Sequence, residues 1–456
     1  MRKLIGACLL LISPAICSAQ PLPEKFLPAE AKQSAPRAIS ISEGIQRVLK
    51  DNRLIKISLP DKDMAFEDSM IARSALFPHL SASAAQTFYQ YQPTAKFGQA
   101  VVFTQNKDPF SFGIDLYQTL FDFGKSLSNY NAAKEVMHAR EANIESVRRM
   151  AVLEFIATYF DLLQTEKTIE VAQKEVESIQ SYLNDIQKLY EQGVVVQNDL
   201  LPAQVRLADA KQRLIAAQNG REIAQAALNN LLALPLKENT LARDIEMHPP
   251  ELPAVEEAWK IAEGSRPEIK FLDNMTSASS FSEKARAREN LPELFVRGGY
   301  SQTENDFTTH EGNSQVMIGA KINIFEGGAD RAQLNKERAR QKQLKEQKGK
   351  LIEDIKFEVE NSYVGLRNAS QKVDVAKSAL SQADENVRIT RVKYTEGVST
   401  TTDVLQAIAL QTGAQTNYYS ADYELKRTYA RLMYSMGIDL SLVYERMERG
   451  QNERSK

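Results

Sequence analysis

The clearest pattern in the chain is a two-residue alternation near its middle. Val316, Ile318, Ala320, Ile322 and Ile324 are apolar, whereas Gln315, Met317, Gly319, Lys321 and Asn323 between them are mostly polar or small. That period predicts a β-strand with one apolar face. Three more segments share its character: His79 to Tyr91, Ser111 to Phe123, and a stretch with Leu294, Val296, Gly298 and Tyr300 on one face. Pro78 and Pro292 precede the two strand pairs, and Gly124 and Gly327-Gly328 follow them. Aromatics such as Tyr89, Tyr91, Phe121, Phe123, Tyr300 and Phe325 lie near the strand ends. Alternating segments of about ten residues edged by aromatics match membrane-spanning β-strands. The edge of a water-soluble sandwich is the alternative.

After each glycine turn the period changes to that of a helix. Lys125 to Gln192 and Ala329 to Glu396 contain no proline and run about 68 residues each, roughly 100 Å at the helical rise. Leu162, Thr165, Ile169, Ala172, Val176, Ile179, Leu183, Ile186 and Tyr190 keep a 3-4 spacing, read as lengthwise helix packing. Gly193 and Gly397 break these helices, and shorter ones return over Asp199 to Leu234 and Asp403 to Gly437.

Both halves are one unit used twice. Phe121-Asp122-Phe123-Gly124 returns as Phe325-Glu326-Gly327-Gly328, Tyr190 and Gly193 as Tyr394 and Gly397, and Asp199-Leu200-Leu201 as Asp403-Val404-Leu405, always 204 residues later. Such a fixed period indicates duplication. Pro78 and Pro292 are 214 apart, so the first copy carries ten extra residues, assigned to the loop between its strands. The resulting division is 1–19 leader, 20–41 extended proline-containing arm, 42–236 first repeat, 237–262 linker, 263–440 second repeat and 441–456 polar tail. Ser42 is expected to cap the first helix and Pro60 to split it in two.

Composition narrows the setting. Arg2 and Lys3, the apolar run Leu4 to Ile12 and Cys17-Ser18-Ala19 read as a secretory signal with cleavage after Ala19. Ile16 before Cys17 argues against a lipid anchor. Cys8 and Cys17 are the only cysteines, so the exported chain is expected to hold no disulfide. Loss of the leader takes the formal charge from -2 to -4, too mild for a nucleic-acid partner. Beyond it no uncharged apolar run nears the roughly 20 residues of a membrane helix.

No enzymatic constellation, cofactor loop or metal site emerges. His79, His138, His248 and His310 are scattered, without partners at ligand spacing. Asp199 and Asp403 stand out because each opens a returning helix beside a glycine turn. They are expected to cap those helices, with Asp403 and Gln406 at capping-box spacing. If several chains met at an axis there, the same aspartates would form a cation-attracting ring.

Taken together, these residues resemble the TolC-type outer-membrane efflux proteins. The resemblance rests on Ala72-Arg73-Ser74-Ala75-Leu76-Phe77-Pro78, Leu120-Phe121-Asp122-Phe123-Gly124, Arg266-Pro267-Glu268-Ile269, and Tyr394 and Gly397 followed by Asp403-Val404-Leu405. It implies a mainly α fold with a membrane β-barrel: a homotrimer of twelve strands and a twelve-helix tunnel crossing the periplasm. It also implies a channel in outer-membrane lipid, a periplasmic adaptor and an inner-membrane transporter as partners, and no enzymatic activity. By the same resemblance the tip carries the gate, with Tyr190, Gly193, Asp199, Tyr394, Gly397, Asp403 and Gln406. Gln406 stands where some members have a second aspartate. A duct for protein secretion and a pore-free periplasmic coiled-coil scaffold are the rival expectations.

Overall fold

A computed structural model of the protein describes residues 37–247 and 252–454. The leader, most of the arm, His248 and the last two residues fall outside them.

The first repeat opens with strand β1 (Arg37–Ile39), helices α1 (Ile41–Asp51) and α2 (Arg53–Ser74), and strands β2 (His79–Gln86), β3 (Thr94–Phe97), β4 (Ala100–Phe103) and β5 (Phe110–Phe121). It continues into α3 (Lys125–Glu191) and α4 (Gln197–Leu231). Strand β6 (Thr240–Ala242) and helix α5 (Val255–Ser265) follow, then α6 (Pro267–Ala287), β7 (Glu293–Thr303), β8 (Gly312–Lys321), α7 (Ala329–Thr395), α8 (Thr401–Ser435) and α9 (Leu440–Arg454). The long helices are both 67 residues and the returning ones both 35, at the offset of the sequence repeat.

Several expectations shift. Ser40, not Ser42, caps α1, its hydroxyl accepting from the Glu43 amide at 3.3 Å; Ser42 instead donates through N–H and hydroxyl to Glu448 of α9. The first helical stretch does break once, but at Asn52 rather than Pro60. Asn52 turns to ψ 133°, accepts from the Leu54 amide and donates its side-chain amide to the Leu231 carbonyl at 3.2 Å. Pro60 sits inside α2 on an exposed flank, where its ring removes one helical hydrogen bond without ending the helix. Ile322 and Ile324 lie beyond the end of β8. The tail is helix α9, whose Tyr444 is fully buried.

β2, β5, β7 and β8 form one antiparallel sheet in that order, joining both repeats. Its register sorts the side chains by character. Leu80, Ile114, Leu116, Tyr300, Val316 and Ile318 share one face, and Ser83, Asp115, Arg297 and Gln315 the other; there Arg297 pairs with Asp115 at 2.9 Å. The apolar face is bare, with Val316 80% and Ile318 77% exposed. β3 and β4 form a separate hairpin in the β2–β5 loop, spanning the ten residues from Thr94 to Phe103. That is where the extra length of the first copy was placed.

Helices line up behind the strands. Near the sheet the order is α2, α3, α6, α7; at the far end α4, α3, α8 and α7 lie side by side. Midway, α1, α5, α9 and the parallel pair β1–β6 pack around Phe155, Tyr159, Phe160 and Tyr423. The Tyr159 hydroxyl accepts from the Arg243 amide at 2.8 Å and donates to the carbonyls of Arg243 and Ile39. Lys426, nearly buried, reaches Asp244 at 2.9 Å and Asp422 at 3.1 Å. The stretch joining the two repeats is thus held to both of them.

Candidate functional site

The helix turns at the end remote from the sheet gather most of the predicted site residues. Each long helix stops on a left-handed glycine, Gly193 and Gly397, both at φ 75°. Gly193 donates to the Tyr190 carbonyl and Val194 to Leu189; Gly397 and Val398 repeat this on Tyr394 and Lys393. These are Schellman closures, in which glycine adopts a backbone that a Cβ would strain.

The aspartates that follow sit three residues inside α4 and α8 and are not their caps. The caps are Val196 and Thr400. At the second turn the box is complete: the Thr400 amide donates to Asp403 Oδ2 at 2.8 Å, the Thr400 and Ser399 hydroxyls donate to the same oxygen, and the Asp403 amide donates to Thr400 Oγ1 at 3.2 Å. Gln406, exposed one turn on, takes no part. At the first turn valine has no hydroxyl to share, and Asp199 receives only the Val196 amide at 3.4 Å.

The two turns therefore differ electrostatically. Backbone and hydroxyl hydrogen bonds from Thr400, then Ser399, hold the Asp403 carboxyl below its ordinary pKa. A depressed carboxylate contributes stability above its unfolded pKa and loses it as pH falls through the folded value. Exchange of the amides over Thr400 to Asp403, followed by mass spectrometry, is expected to accelerate in the protein relative to Asp403→Asn once the pH drops below the ordinary aspartate range. An unchanged ratio would show that the box does not hold the turn.

The tip tyrosines differ too. Tyr394 packs edge-on against Tyr182 of α3, ring centres 5.2 Å apart, with its hydroxyl 3.5 Å from Thr401 Oγ1. Tyr190 is 41% exposed. The contrast follows from a core of Ile179, Tyr182, Ile186, Leu200, Ala203, Val404 and Ile408, which draws α8 and the end of α7 onto α3. Burial raises the Tyr182 hydroxyl well above its usual range, keeping it protonated. Arg391 of α7 donates to Ser178 Oγ on α3. Between the turns lies a cavity of about 810 Å³ lined by Asp185, Lys188, Asp199, Arg391 and Tyr394.

Sequence reading missed Tyr182 and Arg391. Their repeat counterparts are Asn386 and Gln187, so neither carried a duplicated signal. The junction residues lie at the other end. Pro78 and Pro292 stand just before β2 and β7, and Gly124 and Gly328 just before α3 and α7, at φ 81° and 87°. Asp122, two residues before the Gly124 cap of α3, accepts from the Gly124 and Ser126 amides. Among the described residues no three metal-binding side chains cluster, and no helix is long and apolar enough to cross a membrane.

The family model described as outer membrane efflux protein matches residues 44–234 and 277–438, that is, both repeats. The chain belongs to the outer membrane efflux protein family. Among its relatives, the alkaline protease secretion protein AprF of Pseudomonas aeruginosa is 22% identical over 421 residues, covering 89% of this chain and 87% of that protein. The outer membrane protein TolC of Escherichia coli is 20% identical, covering 85% and 79%. The Campylobacter jejuni CmeC outer membrane channel superposes with a TM-score of 0.76 at 18% identity, over 91% of this chain and 89% of that one. This outer membrane efflux protein thus shares the channel fold of its relatives.

Proposed function

We propose that this outer membrane efflux protein works as the passive exit duct of a tripartite system. Three copies close their four-stranded sheets into a twelve-stranded barrel, and their helices into a twelve-helix tunnel that spans the periplasm. The observation that carries this reading is the sheet: its apolar face is bare and both edge strands, β2 and β8, lack an outer partner within the described chain. Unpaired edges are not tolerated in lipid, and a closed ring of copies removes them. A pore-free scaffold has no use for such a sheet.

In this reading solutes arrive from an inner-membrane transporter through a periplasmic adaptor that docks at the helix turns. The Tyr190 to Asp199 and Tyr394 to Asp403 turns close the periplasmic end and separate when the adaptor binds. Asp199, whose carboxylate is barely engaged, and Asp403 supply negative charge near the axis, with Gln406 beside them. Planar-bilayer recording tests this. Asp403→Ala is expected to lower cation selectivity, and Arg391→Ala, by freeing α7 from Ser178, to raise conductance; unchanged currents in both would remove the tip from gating. A protein cargo is the second reading, favoured by the likeness to AprF, whose name describes protease secretion.

A further inference from the structure

Under the three-copy reading above, the face of the sheet turned away from lipid lines the conduit, and the strand register gives its side chains. Most are small or polar, as at Ser81, Ser83, Gly113, Thr119, Ser301 and Gln315. Three large apolar side chains break that pattern among the paired residues: Tyr117 of β5, Phe295 of β7 and Met317 of β8. They are neighbours. Tyr117 and Met317 both stand opposite Arg297, and Phe295 lies one pair further along, opposite Thr119 and Gly319. The repeat images of the three are Lys321, Ser81 and Gly113, so each chain carries this group once.

The rings of Tyr117 and Phe295 are nearly parallel, 25° apart with centres at 5.5 Å. Phe295 leans across onto β8, where a Cβ at Gly319 would come within 2.7 Å of its ring. Glycine there lets the ring lie along the sheet, covering the backbone with one side and offering the other to the conduit. The Tyr117 hydroxyl donates to Glu293 Oε1 at 2.9 Å, and the Thr119 hydroxyl donates to the same oxygen at 2.8 Å. Tyr117 is thereby held in place, 37% exposed, beside a Met317 that is 50% exposed. A cross-strand aromatic pair stabilises a sheet on either face, and Phe112 with Tyr300 already forms one on the lipid side. On the wet side, ring surface left in water adds nothing to that stability.

Charge selects the kind of solute. Asp115 is taken by Arg297 at 2.9 Å, and Glu293 has Lys125 at 3.8 Å besides its two hydroxyl donors. Lys321, one pair beyond Gly319 on β8, is exposed and makes no ion pair among the described residues. The free charge at the rim of the rings is therefore positive, which complements a negative group on a flat, apolar solute. Methionine, polarisable and flexible, extends the surface for rings of different width.

We propose that Tyr117, Phe295 and Met317 form a stacking shelf in the wall of the conduit, with Lys321 at its rim, which binds planar aromatic anions in transit. Block of single channels in planar bilayers by naphthalene-2-sulfonate tests this. The probe is expected to interrupt the current reversibly and at least tenfold more tightly than cyclohexanesulfonate, which has the same charge without a π-face. Phe295→Ala should weaken the block about tenfold, the scale of one lost ring stack. Phe295→Leu, which keeps bulk over Gly319, should do the same, whereas Phe295→Trp should preserve the block. Lys321→Gln should weaken it as well, an effect that fades in about 1 M salt. The comparison of the two sulfonates on the unaltered protein holds whether or not every variant assembles. Channels of normal conductance that both sulfonates block alike, or whose block ignores Phe295 and Lys321, overturn the shelf and leave the three-copy reading standing. Phe295 variants that lose thermal stability yet block like the unaltered protein give the rings to the sheet alone. A protein that forms no channel removes the three-copy reading and the shelf with it.

Discussion

Gly437→Ala is expected to cost roughly 2–5 kcal/mol, the sum of a left-handed backbone penalty and overpacking. Gly437 closes α8 at φ 72°, donating to the Tyr434 carbonyl while Ile438 donates to Met433. A Cβ there would lie 2.9 Å from Ser265 Cβ, 3.0 Å from the Ser265 carbonyl carbon and 3.1 Å from the Arg266 nitrogen. Two of those are backbone atoms at the α5–α6 junction, and they cannot rotate aside. The junction is itself tied to α8, since Arg149 donates to both the Ser265 and Gly437 carbonyls. The first repeat provides the control. Its equivalent, Ala233, ends α4 with the same pair of hydrogen bonds at φ 52°, but with a Cβ in place. Ala233→Gly should therefore stabilise by about 1 kcal/mol. Thermal unfolding followed by helical circular dichroism would compare the two, and equal effects of like sign would refute the steric account.

The second large effect concerns a charge pair that only one repeat has. Glu175 of α3 is buried, and Arg213 of α4 holds both of its oxygens, at 3.0 and 2.8 Å. Arg213→Ala strands that carboxylate and is expected to cost about 3 kcal/mol, near the lower end for a broken buried pair because the arginine head is partly solvated. In the second repeat Ala379 and Asn417 occupy these positions, beside a groove of about 930 Å³ between α7 and α8. Introducing that solution as Glu175→Ala with Arg213→Asn should recover most of the loss, since no charge is left without a partner. If the double variant is as unstable as Arg213→Ala, packing rather than charge holds α3 to α4.

Much of the fold was legible because duplication turns weak local signals into strong ones. Helix lengths, the glycine closures and the strand pairs each appear twice, so agreement between copies filtered out accident. Boundaries were misread where a residue type has two roles. An aspartate near a helix start looks like a cap, yet Asp403 works from inside the helix on a threonine cap. Pro60 looked like a break, but α2 runs through it with the proline on an exposed flank, and Asn52 made the turn instead. Features confined to one copy stayed hidden: helix α9, hairpin β3–β4, and the side chains of Tyr182 and Arg391, whose roles depend on which helix lies next to them.

Hairpin β3–β4 shares no ladder with the four-stranded sheet. It touches the other repeat through Phe103 against Phe307, and through Asn305 donating to the Thr104 carbonyl. In the orientation of the proposed duct it stands outermost, with Phe97 69% and Val101 59% exposed. The part of the chain that the surroundings meet first is thus also the part whose sequence the wall of the channel constrains least. It is there that an epitope or affinity tag would be displayed on the cell surface with the conduit left intact.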